Sequence, residues 1–259
     1  MEEHSAALRH EVLAMLQNGA SQRAVSDQFG VPRGTIGWWA YEDRRRRGIV
    51  IARPCHCPRC KGVDFDHSAY SYLLGLYLGD GHIVSKPKQH HLSIYCCDNW
   101  PGLIDEAEKA MRTVMPGYST SRIQKKGCTE VKSYTSHWTC MFPQHGPGRK
   151  HERAIALEDW QEEIVEEHPW GLIRGLIHSD GCRVTNWTVR TVGGERKRYE
   201  YPRYFFTNKS DDIRQLLGQT LDKVGVEWTT LARGSDPFNI SVARRESVAL
   251  MDLHVGAKY

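Results

Sequence analysis

Tyr72 to Gly81 reads YLLGLYLGDG, and Leu172 to Gly181 reads LIRGLIHSDG. Gly75 matches Gly175, Asp80 matches Asp180 and Gly81 matches Gly181, each pair one hundred positions apart. A self-match at domain length means that the chain is built twice on one plan. The sequence after each copy also repeats. His82-Ile-Val84 and Leu92-Ser-Ile-Tyr95 alternate as strands. Asp98-Asn99 then caps a helix with Leu103, Ile104, Ala107 and Met111 on one face. In the second copy the strands are Val184 to Val189 and Tyr201 to Phe206. Ser210-Asp-Asp212 caps the helix, which turns Ile213, Leu216, Leu217 and Val224 inward. A further strand pair closes each half, ending near Trp138 to Phe142 and Phe238 to Val242. The expected fold is α+β: two pseudo-symmetric αββαββ halves, 68–168 and 169–259, each with a helical tail, joined at their paired motif helices.

A glycine inside a helix costs about 1 kcal/mol relative to alanine, so two copies at one place imply close helix packing. Gly75 and Gly79 lie four apart, as do Gly175 and Ser179, and residues four apart share a face. Small residues on that face let two backbones approach. The helix ends then meet, each with an aspartate, Asp80 or Asp180, followed by a glycine whose conformational freedom turns the chain into a strand. Two carboxylates held together at helix C-termini repel each other and the helix dipoles. A divalent cation relieves that repulsion. Mg²⁺ favours carboxylates, water and phosphate oxygens, and two such acids could hold metal against the scissile phosphates of DNA and activate water. For one copy, Asp-Gly is simply a good turn after a helix; two copies in matched context make that the minority reading.

The pair LLGLYLGDG and IRGLIHSDG resembles the two signature motifs of single-chain LAGLIDADG (DOD-type) homing endonucleases, and the likeness runs from about Tyr72 to the C-terminus. The resemblance implies that the motif helices form the interface between the halves. It implies that the last acid of each motif, Asp80 and Asp180, binds Mg²⁺ or Mn²⁺, with the backbone carbonyls of Gly79 and Ser179 as further ligands. It places the strands as a saddle over the DNA major groove. It also implies a basic residue near the metals, at the start of the helix after the last strand of each half. Arg244 or Arg245 matches that place in the second half. Lys150, within Gly146-Pro-Gly-Arg-Lys-His151, matches it in the first, although the GPG loop departs from a simple strand-to-helix passage.

The net charge of +4 over 259 residues says little alone about a nucleic-acid partner. Its placement says more. Arg183, Arg190, Arg196, Lys197, Arg198, Arg203 and Lys209 face only Glu195 and Glu200 in their stretch, and Arg122, Lys125, Lys126 and Lys132 face only Glu130. These residues fall on strands and hairpin tips, where double-stranded DNA would be contacted. Glu158 to Glu167 holds six acids and no Lys or Arg, as suits a helix turned away from DNA.

Residues 1–48 read as a separate helical module. Ser5 and Ser21 cap helices, Leu8, Val12, Met15 and Leu16 form one apolar face, and Asn18-Gly19 and Gly30 are stops. A third helix runs from about Arg33 with Ile36 and Trp39 or Ala40 inward. Ser21 to Ala40 resembles the helix-turn-helix of bacterial regulators and recombinases, which implies a recognition helix in the major groove. Arg33, Thr35 and Trp38 face outward on it, and Arg44, Arg45 and Arg46 follow near phosphates. A plain three-helix bundle with a solvated basic tail is the alternative. Residues 49–67 read as a cysteine-containing linker. Cys57-Pro-Arg-Cys60 has knuckle spacing, and Cys55 or His56 could be a third zinc ligand. A structural zinc takes four ligands, usually as two such pairs, and no second pair is visible. His67 or an aspartate would have to complete the set, so zinc is not the favoured reading over loose thiols.

No run of about 18 apolar residues predicts a membrane span, and Met1-Glu2-Glu3-His4 lacks the order of a signal peptide. The eight cysteines are expected to be reduced thiols in a cytoplasmic, nucleoid-associated protein. Internal pseudo-two-fold symmetry predicts a monomer. The function expected is site-specific, divalent-metal-dependent cleavage of double-stranded DNA. The alternative is a non-cutting transcription regulator, because some bacterial regulators join a degenerate domain of this kind to a helix-turn-helix. Such degenerate domains tend to lose the acid pair, and this chain keeps it. An RNA maturase fits a helix-turn-helix less well. An intein is not expected, because the chain starts Met1-Glu2 and ends Ala257-Lys258-Tyr259 without a terminal His-Asn.

Overall fold

Residues 4–49, 55–86, 89–233 and 236–259 are described by a computed structural model of the chain. Chain contacts divide at Pro54, with one unit before it and a larger one from Cys55 onward. The first unit holds α1 (Ala6–Gln17), α2 (Gln22–Phe29) and α3 (Arg33–Arg46). Ser5 and Ser21 cap α1 and α2 by accepting from the backbone N–H groups of Leu8 and Ala24. Gly30 ends α2 at φ 66°, a left-handed stop that glycine adopts without strain. Val12, Val25, Val31, Ile36 and Trp39 form a core of this unit's own. Arg33, Trp38, Arg45 and Arg46 are exposed, while Thr35 and Arg44 are half-buried.

The larger unit begins with a short helix, α4 (Pro58–Lys61), and then runs twice through one plan. The first pass is α5 (His67–Leu78), β1 (Gly81–Lys86), β2 (Gln89–Cys97), α6 (Pro101–Val114), β3 (Thr120–Gln124) and β4 (Cys128–Ser133). A short helix α7 (Trp138–Met141), a 3₁₀ turn (Lys150–Glu152) and α8 (Asp159–Glu167) lead to the second pass. That pass is α9 (Pro169–Asp180), β5 (Gly181–Val192), β6 (Glu195–Thr207), α10 (Asp211–Lys223), β7 (Thr229–Arg233) and β8 (Asp236–Val242), with α11 (Arg245–His254) as its tail. The strands form two antiparallel sheets of the same order, β1-β2-β4-β3 and β5-β6-β8-β7. These are the two αββαββ halves that the repeat predicts. Tyr72, Leu73, Leu76, Leu172, Ile173 and Leu176 of the two motif helices are all buried in one core with Ile94, Val131, Phe206 and Ile240 of the sheets. Among the described residues no helix is long and apolar enough to cross a membrane.

Three local expectations are corrected. Trp138 to Phe142 does not end a strand: the closing strand stops at Ser133, and Trp138, Met141 and Phe142 are buried at helical spacing in and after α7. Asp98 does not cap α6. Trp100 stands at the N-cap with Pro101 at the first helical position, and Asp98 accepts from Gln124 at 2.8 Å and Thr129 at 2.9 Å. Of the linker expected over 49–67, residues 50–54 lie outside the described residues. Cys55 onward belongs to the larger unit, with Cys57 fully buried in its core.

Candidate active site

The motif helices α5 and α9 touch backbone to backbone. A Cβ on Gly75 would stand 2.6 Å from the Leu172 carbonyl oxygen and 2.7 Å from the Leu176 nitrogen. One on Gly79 would overlap the Ser179 side chain and lie 3.3 Å from Asp180 Oδ2. Only a residue without a side chain fits at these contacts, which is why the mid-helix propensity loss is tolerated. Gly81 and Gly181 serve a different end from the sharp turn expected of them. Neither has a positive φ, and Gly181 is extended at φ −103°, ψ 174°. A Cβ there would press on the helix each leaves, 2.5 Å from Tyr77 Cα and 2.7 Å from Ile177 Cα. The glycines let each strand start flush against its own helix, so Asp80 and Asp180 are delivered to one place.

Beside the acids is a cleft of about 520 Å³ lined by Tyr77, Gly79, His82, Lys150, Asp180 and Asn208, among others. Enclosure by protein, then the neighbouring Asp180 carboxylate, pushes the Asp80 carboxyl up to about 6. Burial raises Asp180 as well, opposed by a 2.7 Å hydrogen bond donated by Asn208. Two lysines hold the pair in check. Lys150 Nζ donates to the carbonyls of Tyr77, Leu78 (3.1 Å) and Gly79 (2.8 Å) at the end of α5. Lys258 Nζ donates to the Ser179 carbonyl at 2.7 Å, at the end of α9. A cation at a helix C-terminus satisfies the carbonyls left open there. Burial lowers both ammonium groups, Lys150 to about 8, while the two aspartates draw them back up.

This geometry changes one expectation. Arg244 does not reach the acids. It stands at the N-cap position of α11 without a side-chain capping bond and pairs with Glu227 at 2.6 Å, and both side chains are exposed. Lys258 takes the place assigned to it, as the second-half counterpart of Lys150. The carbonyls of Gly79 and Ser179 each accept from a lysine, Gly79 from Lys150 and Ser179 from Lys258. Lys258 and Asn208 were not found from the sequence. Lys258 lies in the tail beyond α11, and no feature of the local sequence marks it.

Strand alternation divides the basic residues between two faces. On β5 and β6, Gly181 pairs with Phe206 and Arg183 with Tyr204, and the buried Tyr204 and Phe206 mark the face turned to the helices. Arg183, Arg196 and Arg198 share that parity. Arg183 grips Asp252 of α11 at 2.6 and 2.8 Å, and Arg198 pairs with Glu200. Arg190, Lys197 and Arg203 lie on the opposite, outward face, and Lys209 is exposed just beyond β6. In the first half Arg122 lies on the helix side and is held by Glu108 (2.7 Å) and Asp105 (2.8 Å). Lys132 and Lys125 converge on Glu130 at 3.2 and 3.5 Å. Burial would raise the Glu130 carboxyl, but hydrogen bonds from Ser93, Lys132 and Tyr95 hold it below the usual carboxylate range. Lys126 is exposed at the β3–β4 turn. Arg122 and Arg183 are therefore engaged within the protein and not displayed on the outward sheet faces.

No family model matches the chain, and no curated protein sequence does. Solved structures do match. I-DmoI in complex with DNA and Mn is 12% identical with a TM-score of 0.49, over 74% of this chain and 98% of that one. A point mutant of I-SmaMI is 8% identical at 0.46, over 72% and 84%. Full-length DUF199/WhiA from Thermatoga maritima is 10% identical at 0.44, over 74% and 56%. All three scores fall below 0.5, and the functional reading rests on this chain's own geometry.

Proposed function

We propose that the chain is a divalent-metal-dependent endonuclease that cuts double-stranded DNA at a specific site, with Asp80 and Asp180 as the acids that hold the metal. The observation that carries this is the meeting of two aspartates, one from each half, at the ends of helices packed glycine to glycine. The donor set suits a hard cation, because both groups offer carboxylate oxygen only. A bound Mg²⁺ or Mn²⁺ would supply charge for the scissile phosphate and an activated water. The chain's own residues do the rest. Asn208 fixes the Asp180 carboxylate. Lys150 and Lys258 donate to the carbonyls at the two helix ends and place positive charge where an anionic backbone would lie. Arg190, Lys197, Arg203 and Lys209 offer contacts to phosphates and base edges. The first unit adds a helix-turn-helix, with Arg33, Thr35 and Trp38 on its recognition helix and Arg44, Arg45 and Arg46 near phosphates.

One observation favours a second reading, a DNA-binding regulator that does not cut. The two ammonium groups beside the two carboxylates balance their charge with no metal at all. Selection of bound DNA from a random library, followed by incubation of the selected duplex with Mg²⁺ or Mn²⁺, separates the two. Cleavage by the wild type, lost by orders of magnitude in Asp80→Asn and in Asp180→Asn with binding kept or tightened, is the expected result. A wild type that binds its selected site tightly and never cuts it establishes the regulator.

A further inference from the structure

Cys57, Cys60, His137 and Cys140 meet from two distant places in the chain, and their four ligand atoms lie within 4.8 Å of one another. Cys60 Sγ is 3.7 Å from Cys140 Sγ and 3.3 Å from His137 Nδ1, and Cys140 Sγ is 3.8 Å from the same nitrogen. A tetrahedral zinc with Zn–S of about 2.3 Å and Zn–N of about 2.0–2.1 Å needs edges of roughly 3.8 Å between sulfurs and roughly 3.6 Å between sulfur and nitrogen. The first matches and the other two bracket theirs.

The local architecture is repeated. Cys57 stands at the N-cap of α4 with Cys60 three residues on, and His137 stands at the N-cap of α7 with Cys140 three residues on. One helical turn brings each second ligand back beside the first. The result is two knuckle pairs, C-x₂-C and H-x₂-C, and the second is the pair whose absence from the sequence weighed against zinc. We propose that these four residues hold one Zn²⁺ in a closed Cys₃His structural site. Cys55 is not a ligand. Its Sγ lies 3.6 Å from His137 Nε2, so it accepts the proton that this nitrogen carries once Nδ1 binds metal, and it fixes the ring.

The site has a mechanical role. Neither four-residue helix can hold itself, because a single turn does not repay its nucleation. A metal joining them ties the segment that enters motif helix α5 to the segment that leads toward Lys150. The proposal is independent of whether the acid pair cuts DNA.

The test uses full-length protein purified without chelator. Elemental analysis should find about one zinc per chain. Cys60→Ser and His137→Ala should lose it, while His137→Cys, which offers a fourth thiolate, and Cys55→Ser should keep it. Asp80→Asn should keep it too, which separates this site from the acid pair. Because a ligand variant can fail to fold, wild-type protein stripped of metal is also titrated with Co²⁺. Saturation at one equivalent with thiolate-to-cobalt charge-transfer bands, reversed by Zn²⁺, supports the site. Metal-free wild type that melts at the same temperature with and without added zinc overturns it, as does a Cys60–Cys140 disulfide seen as the loss of two hydrogens by mass.

Discussion

In metal-free buffer Asp80 should make the stability of the fold depend on pH. Its carboxyl sits near 6 in the fold against an ordinary value of 3.8, so the folded state binds this proton more tightly than the unfolded chain does. The contribution favours folding in acid, is complete below the unfolded value, and is lost as pH rises through about 6. In magnesium-free buffer the melting temperature of the wild type should therefore fall from pH 5 to pH 7 relative to Asp80→Asn, and added Mg²⁺ should narrow the gap at pH 7. Equal pH profiles would mean that the carboxyl is not strained. Lys258 gives a second expectation at this scale. Lys258→Ala removes the partner of the Ser179 carbonyl and one positive charge beside the acids, so cleavage should drop at least tenfold, an order-of-magnitude expectation for a charge-assisted bond worth about 1.5–3 kcal/mol. Arg244→Ala breaks only an exposed pair with Glu227, worth at most about 1 kcal/mol, and cleavage should be unchanged. Arg244 matched the expected place by its position after the last strand. Lys258 was hidden because nothing in the local sequence says that the tail beyond α11 folds back to α9.

The two motif helices were the most legible elements, because their glycines, their acids and the strands that follow all recur at one offset. Legibility failed where tertiary contacts outweigh local composition. The run Trp138-Thr-Cys-Met-Phe142 has a strand's residue types, yet it forms a helical turn with Trp138 donating to the Ser133 carbonyl at 3.0 Å. Misreading that turn also concealed His137 and Cys140 as a spaced pair. For the helix interface the expectation is quantitative. Gly75→Ala should gain about 1 kcal/mol in helix propensity but force backbone atoms of α9 away, and overpacking of a tight core costs typically 1–3 kcal/mol. Contact with main chain, which cannot rotate aside, puts the cost at the top of that range. A net loss of about 2 kcal/mol by urea denaturation is expected, against a gain for Gly34→Ala in α3, where nothing lies within 4 Å. A Gly75→Ala variant as stable as the wild type would mean that α5 and α9 do not pack this closely.

At the scale of the whole molecule, two units with separate cores imply separable contributions to binding. Removing residues 1–48 should weaken binding to the selected DNA and flatten its salt dependence, since fewer counterions are released, while the larger unit keeps its preferred central site. An unchanged affinity and salt slope would assign the first unit to another task. The halves share a topology but not a reach. Strands β5 and β6 run 12 and 13 residues, whereas β1 and β2 run 6 and 9. At about 3.4 Å per residue the β5 arm extends about 40 Å and the β1 arm about 20 Å, against about 3.4 Å per base pair along DNA. A target read by such a molecule would store its information unevenly, with one flank legible over about twice the length of the other. Sequence drift on the short-arm flank would then go largely unpunished, and the same drift under the long arm would erase the site.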